Sequence, residues 1–322
     1  METDYRLTID KLEVTYKATE ETRAFISGID TITDNQQTFI LQRINNKKGT
    51  YKHYFIVQYA TGYNGVIGWS YETLGTLYFG SYNQNRQHFY FEFENKAHYT
   101  DGFAYACLHY ITSYIGLEYY QVSKLDLAWD CNRDVVKQIY RICKNDTITL
   151  EGEAMQYDVV MNGKKISLTD NSPILWVCNG RRENPIKNKG IVLHNRKRSI
   201  SMRGYNKGDE IKASNKDYIQ GSWEGRNMYR LEVSFSNASE INKVLTDICH
   251  TANKSVYTEL LLSNMNNPKF LYLLYFQALE NLIYVTTSKH RKKEKLNIVF
   301  FALNSLEMKA KLLKKGRIKS IC

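Results

Sequence analysis

The chain has 322 residues, 43% of them hydrophobic and 13% aromatic, with only three prolines and a mean hydropathy of −0.48. That composition can fill a large core in one or two domains and contains no apolar run long enough to read as a membrane span. The formal net charge is +11 with a pI near 9.1, which points to a polyanionic partner, most simply nucleic acid.

The opening METDYRLTID lacks a basic and apolar leader, so no signal peptide is expected. Residues 5–16 alternate and predict a strand. Residues 51–59 and 76–80 predict two more. In 88–95, Phe89, Phe91 and Phe93 fall on one face of a strand, with Tyr90, Glu92 and Glu94 on the other. The spacing over 101–116 predicts a helix, capped by Asp101 and closed by Gly116. Residues 122–130 alternate again, 134–144 read as helical, and 155–161 and 174–178 are short strand candidates. Residues 190–195 and 200–206 form a hairpin-like pair around the turn Arg196-Lys197-Arg198-Ser199. A short helix is expected near 209–213, and a further strand over 228–235.

Beyond Ser236 the pattern turns helical. It predicts a helix over 239–249, one over 267–285 with Pro268 in its first turn, and an amphipathic one over 296–313. The fold class expected is α+β, with a domain over 1–236 and a helical, basic region over 237–322 serving DNA binding or oligomerisation. Six scattered cysteines, none in a CxxC pair, fit a reduced cytoplasmic protein without a structural zinc site.

Positive charge is clustered. Lys289–Cys322 holds 11 Lys and Arg against two acids, and Arg181–Lys207 holds nine against one glutamate. Two separate clusters with tyrosines nearby favour nucleic acid over a merely solvated basic surface.

Three stretches carry candidate chemistry. In LDLAWD, Asp126, Ala128 and Asp130 share a strand face, with the carboxylates about 7 Å apart and space for a cation between them. The alternative is a polar face at a sheet rim. In YRLEVSF, Arg230, Glu232 and Ser234 share a face, and Glu232 is a candidate third oxygen ligand. In SISMRGYNKGDE, Ser201, Arg203 and Tyr205 share a face, and Lys207 follows two residues on. A free phenol attacks poorly, so a nucleophilic tyrosine needs a metal on the phosphate and cations beside it. Arg203 and Lys207 are candidates for the cations, Asp126 and Glu232 for the metal. Taken singly, each stretch also reads as an ordinary amphipathic strand.

Taken in order, they resemble the replication initiation factor family of the Rep_trans type. That family holds rolling-circle plasmid initiators and related relaxases of conjugative and mobilisable elements. Lys124-Leu125-Asp126-Leu127-Ala128-Trp129-Asp130 is similar to the family's acid-bearing strand. Gly190 to Ser199 runs into Arg203-Gly204-Tyr205-Asn206-Lys207-Gly208-Asp209-Glu210, and Arg230-Leu231-Glu232 follows. Ile9 to Tyr16 looks like the family's first strand. The resemblance covers residues 5–236. Trp129 stands where phenylalanine is commoner, and Gly204 where a larger apolar residue is.

The resemblance implies an antiparallel sheet core like that of the HUH endonucleases, flanked by helices. It implies an enzyme that nicks one DNA strand at an origin, stays joined to the 5′ phosphate through a tyrosine and later rejoins it. It also implies Mg²⁺ or Mn²⁺. Carried over by position, Tyr205 is the nucleophile; Asp126 and Glu232 are metal ligands, with Asp130 a ligand or a supporting acid; Arg203, Lys207 and Arg230 hold phosphate. Arg196, Lys197 and Arg198 line a DNA groove. No His-hydrophobic-His triplet occurs, and His194 stands as an additional candidate ligand or acid–base group. The partners expected are an origin hairpin or single strand and flanking duplex, with a host helicase and a second copy of the chain as further candidates. A mobilisation relaxase would use the same chemistry. A non-catalytic DNA-binding replication protein would need none of it.

Overall fold

In the computed structural model, side-chain alternation and β-branched or aromatic content build sixteen strands among the described residues. The structure describes residues 5–45, 50–64, 68–82, 88–99, 103–135, 148–151, 157–161, 164–168, 176–178, 189–195, 199–219, 227–249, 264–282, 284–287 and 295–297.

In chain order, β1 (Tyr5–Lys17) leads to α1 (Glu20–Gly28), β2 (Thr31–Thr33), β3 (Phe39–Arg43), β4 (Tyr51–Asn64), β5 (Gly68–Ser81) and β6 (Phe89–Phe93). A 3-10 turn (Asn95–Tyr99), α2 (Phe103–Tyr114) and β7 (Glu118–Cys131) follow. Next come β8 (Ile148–Glu151), β9 (Tyr157–Met161), β10 (Lys164–Leu168), β11 (Trp176–Cys178), β12 (Lys189–Asn195) and β13 (Ile200–Asn206). The rest are α3 (Lys207–Ser214), a second 3-10 turn (Asp217–Ile219), β14 (Tyr229–Phe235), α4 (Ala238–Cys249), α5 (Pro268–Leu282), β15 (Tyr284–Thr287) and β16 (Lys295–Asn297). The class is α+β with antiparallel sheet and flanking helices, as expected.

Two of the differences from sequence expectation are corrections. The stretch after 236 is not purely helical, because Tyr284–Thr287 and Lys295–Asn297 are paired strands; Val285, Thr286 and Thr287 are β-branched and favour that state. Residues 20–28 form a helix that the alternation around them does not announce. Its cap is Thr19, whose hydroxyl accepts from Thr22 N at 3.1 Å. Of the expected 134–144 helix and 296–313 helix, nearly all residues lie outside the described ones, as does the Asp101 cap.

The chain forms two compact units. The first comprises Met1–Thr8, Asp126–Asn253 and Asn267–Cys322; the second comprises Ile9–Leu125 and Lys254–Asn266. Residues on both sides of the expected 236/237 boundary therefore fall in the first unit.

In the second unit the strand order is β1-β6-β5-β4-β3-β2, and every neighbouring pair is antiparallel. The face with Phe89, Phe91 and Phe93 is buried, together with Phe39, Phe55 and Phe79, and Leu108 and Ile111 of α2. Gly75 lets β6 come close, since a Cβ there would stand 2.3 Å from Glu92 O. Helix α2 closes at Gly116, whose φ of +74° suits glycine alone at low cost, and Leu117 N donates back to Thr112 O.

In the first unit the order is β11-β12-β13-β14-β7, and β11 through β14 pair antiparallel. Helices α4 and α5 pack on each other and on β14. Asn237, not Ser239, caps α4, accepting from Glu240 N at 3.0 Å. Pro268 opens α5 beneath the Asn267 cap, as predicted. Leu231, Val233, Phe235, Met202, Val244, Leu245, Leu274 and Tyr275 form this unit's core.

Candidate active site

Pairing of β13 with β14 fixes the site. Arg203 lies opposite Glu232, Tyr205 opposite Arg230 and Ser201 opposite Ser234. Residues directly opposite on antiparallel strands share a face, so the two motifs meet without any loop rearrangement. Leu231 and Val233 alternate with them into the core, which anchors β14 and holds the register.

At the centre is Glu232, fully buried. Its Oε1 accepts from Arg203 through Nε at 2.8 Å and through Nη2. Its Oε2 accepts the Tyr205 hydroxyl at 3.2 Å. Ser234 Oγ donates to Oε1 at 3.4 Å. Burial works against the Arg203 charge, but Glu232 outweighs it, with smaller contributions from Tyr205 and Asp126, so the guanidinium pKa is raised. Asp126 is half-buried and lies within electrostatic reach of that guanidinium. The Arg203 side chain remains 50% exposed and so is reachable from solvent.

Lys207 comes from the first turn of α3. Asn206 caps that helix, its side chain accepting from Asp209 N, and the turn carries Lys207 back toward the strand it follows. Lys207 Nζ lies 3.5 Å from Tyr205 Oη and 5.6 Å from its ring centroid. The lysine is buried and pairs with Glu210 Oε2 at 2.5 Å, one turn along the helix. The Arg203 guanidinium carbon stands 5.8 Å from the same ring. One phenol is thus held between a carboxylate and an ammonium, beside a guanidinium.

Asp130 and Arg230 occupy a different position from the expected one. Both are fully buried. Arg230 donates from Nε to Oδ1 at 2.6 Å and from Nη2 to Oδ2 at 2.8 Å. Arg6 of β1 adds a bond to Oδ2 at 3.1 Å and another to Ile219 O at 2.8 Å. Both Asp130 oxygens are engaged by guanidinium donors, and the Arg230 guanidinium is turned inward. Beside them, Tyr275 of α5 donates to Leu231 O at 3.1 Å, and its burial raises its pKa well above the usual tyrosine value.

Sequence reading missed Arg6 and Tyr275, and it named Glu210 as part of a motif without giving it a role. Glu210 was legible, since it lies three residues after Lys207 on a helix; Arg6 and Tyr275 are more than 40 residues from their partners and left no local sign. His194 pairs with Ser201 across β12 and β13, but its side chain, like Arg196, Lys197 and Arg198, lies outside the described residues.

Glu232 bonds the Arg203 guanidinium and Asp126 lies within its electrostatic reach; both are carboxylates, the donor type by which Mg²⁺ is commonly held, with substrate phosphates completing its shell. Among the described residues, no group of three or more His, Cys, Asp and Glu side chains gathers as a cage. Nor does any described helix have the length and apolarity to cross a membrane.

No family model matches the chain. No curated protein matches it either. Among solved structures it is similar to a rolling circle replication initiator protein from Geobacillus stearothermophilus, at 13% identity and a TM-score of 0.45, over 94% of this chain and 95% of that one.

Proposed function

We propose that the protein is a DNA nicking and joining enzyme that starts rolling-circle replication, with Tyr205 as its nucleophile. The observation that carries this reading is the Tyr205 hydroxyl, 3.2 Å from Glu232 and 3.5 Å from Lys207. An ordinary surface tyrosine has no need of a buried acid on one side and a buried cation on the other.

In the proposed step the Tyr205 oxygen attacks the scissile phosphorus. The phenolic proton passes to water, and Lys207 steadies the phenolate as it forms. The bond from phosphorus to the 3′ oxygen breaks, that oxygen takes a proton from water, and the 5′ phosphate stays on Tyr205. Rejoining is the reverse, so the bond is conserved rather than hydrolysed. Half-exposed Arg203 would hold the non-bridging phosphate oxygens, where its fork suits two of them.

Mg²⁺ or Mn²⁺ would be held by Asp126 and Glu232. When bound, the ion draws charge from the phosphate. Asp130 and Arg230 become positioning residues in this account: their pair fixes the strand that bears Glu232. The turn Arg196-Lys197-Arg198 is assigned to DNA by its charge. A mobilisation relaxase would share every one of these roles and differ in the origin it cuts.

The test is a nicking assay on supercoiled plasmid bearing the element's own origin, with Mn²⁺, with EDTA, and with Tyr205→Phe. Metal-dependent nicking with protein fixed to the 5′ end, lost in the variant, is the expected result. Binding without cleavage under any metal would sink the catalytic reading and leave a DNA-binding protein. Cleavage by Tyr205→Phe would keep the chemistry and reject the residue.

A further inference from the structure

The second unit contains a cleft of about 370 Å³, built by α1, β4 and the end of β5. That volume falls in the range of small-ligand sites, about 300–1,000 Å³. Arg23 of α1 and Lys52 of β4 bring two cations to it, and no carboxylate is among its described lining residues.

His53 supplies a neutral donor. Its Nδ1 faces Arg43 Nη1 at 2.8 Å. A guanidinium only donates, so Nδ1 accepts and the ring hydrogen sits on Nε2. Burial, then the charges of Arg43 and Lys52, lower the His53 pKa, which keeps the ring neutral. The ring stacks on Phe79 at 4.7 Å, which fixes its plane. Gly80, at φ +70°, leaves the ring its space; a Cβ there would stand 3.0 Å from His53 Cδ2.

Tyr82 closes the set. It is 71% exposed, and Lys52 Nζ stands 5.7 Å from its ring centroid. Two cations, a fixed N–H donor and an open aromatic face together match a phosphate joined to a flat base.

We propose that this cleft binds one nucleotide of single-stranded DNA, with its phosphate on Arg23, Lys52 and His53 Nε2 and its base on Tyr82. It rests on the reading of DNA as substrate, though not on the chemistry of Tyr205. The cleft gives the second unit its own grip on the strand.

The experiment is fluorescence anisotropy with a labelled single-stranded oligothymidylate, on the full chain. Tyr82→Ala should weaken binding about 5- to 100-fold, the effect of losing one stacked base, and Tyr82→Trp should restore it. Lys52→Ala should lower the slope of log affinity against log salt by about 0.7, one phosphate's worth for a single strand. Both side chains are exposed, so circular dichroism melts should match the wild type. Wild-type affinity in Tyr82→Ala would overturn the proposal. So would thymidine 5′-monophosphate binding as tightly as the oligonucleotide, which would make the ligand a free nucleotide. Tyr82-dependent binding in a protein that never nicks would uphold the cleft and reject the nuclease; nicking with Tyr82-independent binding would do the opposite.

Discussion

Arg230 lies fully buried against Asp130 with two short hydrogen bonds, where sequence position suggested a phosphate ligand. A buried ion pair offsets a large desolvation cost, so its value shows when one partner is removed. Arg230→Ala should lower unfolding free energy by about 3–5 kcal/mol, because it breaks a buried pair and leaves Asp130 in the core without its bidentate partner. The double variant Asp130→Leu/Arg230→Met should recover most of that loss, measured by denaturant melts. Equal losses in single and double variants would mean that the strand needs the pair itself. Arg203 and Lys207 differ from Arg230 in kind: one is half-exposed, the other sits against the phenol. Sequence alone could not rank these three cations, since all follow the same alternation.

At the scale of elements, the 3-10 turn Asn95–Tyr99 buries His98 against Phe93, with Nδ1 at 3.1 Å from Tyr105 Oη. Burial lowers its pKa from 6.5 to about 4, with Asp10 pulling weakly the other way. The unfolded chain therefore binds a proton on this group between pH 6.5 and about 4 while the folded chain does not. Stability from this group is full above 6.5, falls as pH drops through that window and levels off below it. The loss amounts to about 3 kcal/mol. His98→Phe should flatten that part of the pH profile in urea melts, and an unchanged profile would refute the assignment.

The strands were the legible part of the fold. The alternation in 5–16, 88–95, 200–206 and 228–235 separates two faces, and each stretch forms a strand. The short strands Thr31–Thr33 and Lys164–Leu168 were not legible, because three to five residues offer too few alternations to stand out. At the site, the motifs named Tyr205, Glu232 and Arg203, and the register of β13 on β14 sets them side by side. That Glu232 is met by Arg203 was beyond the sequence, since pairing across strands depends on register.

For the whole molecule, a net charge of +11 would make affinity for DNA, the substrate of the proposed function, a property of the salt as much as of the site. A single strand whose binding neutralises about three phosphates should lose roughly 20-fold in affinity on a fourfold rise in salt. A flat dependence, measured by anisotropy, would remove electrostatics from the account.

Glu232 has one more consequence. Its charge is met from within the chain by Arg203, whether or not a metal is bound. Folding then does not wait on an ion, unlike small domains in which metal binding is itself the folding free energy. EDTA should leave the melting temperature where it was while it stops nicking, and returning Mn²⁺ should restore the reaction without a refolding lag. Such a protein can be put to sleep and woken repeatedly, never losing its shape between turns.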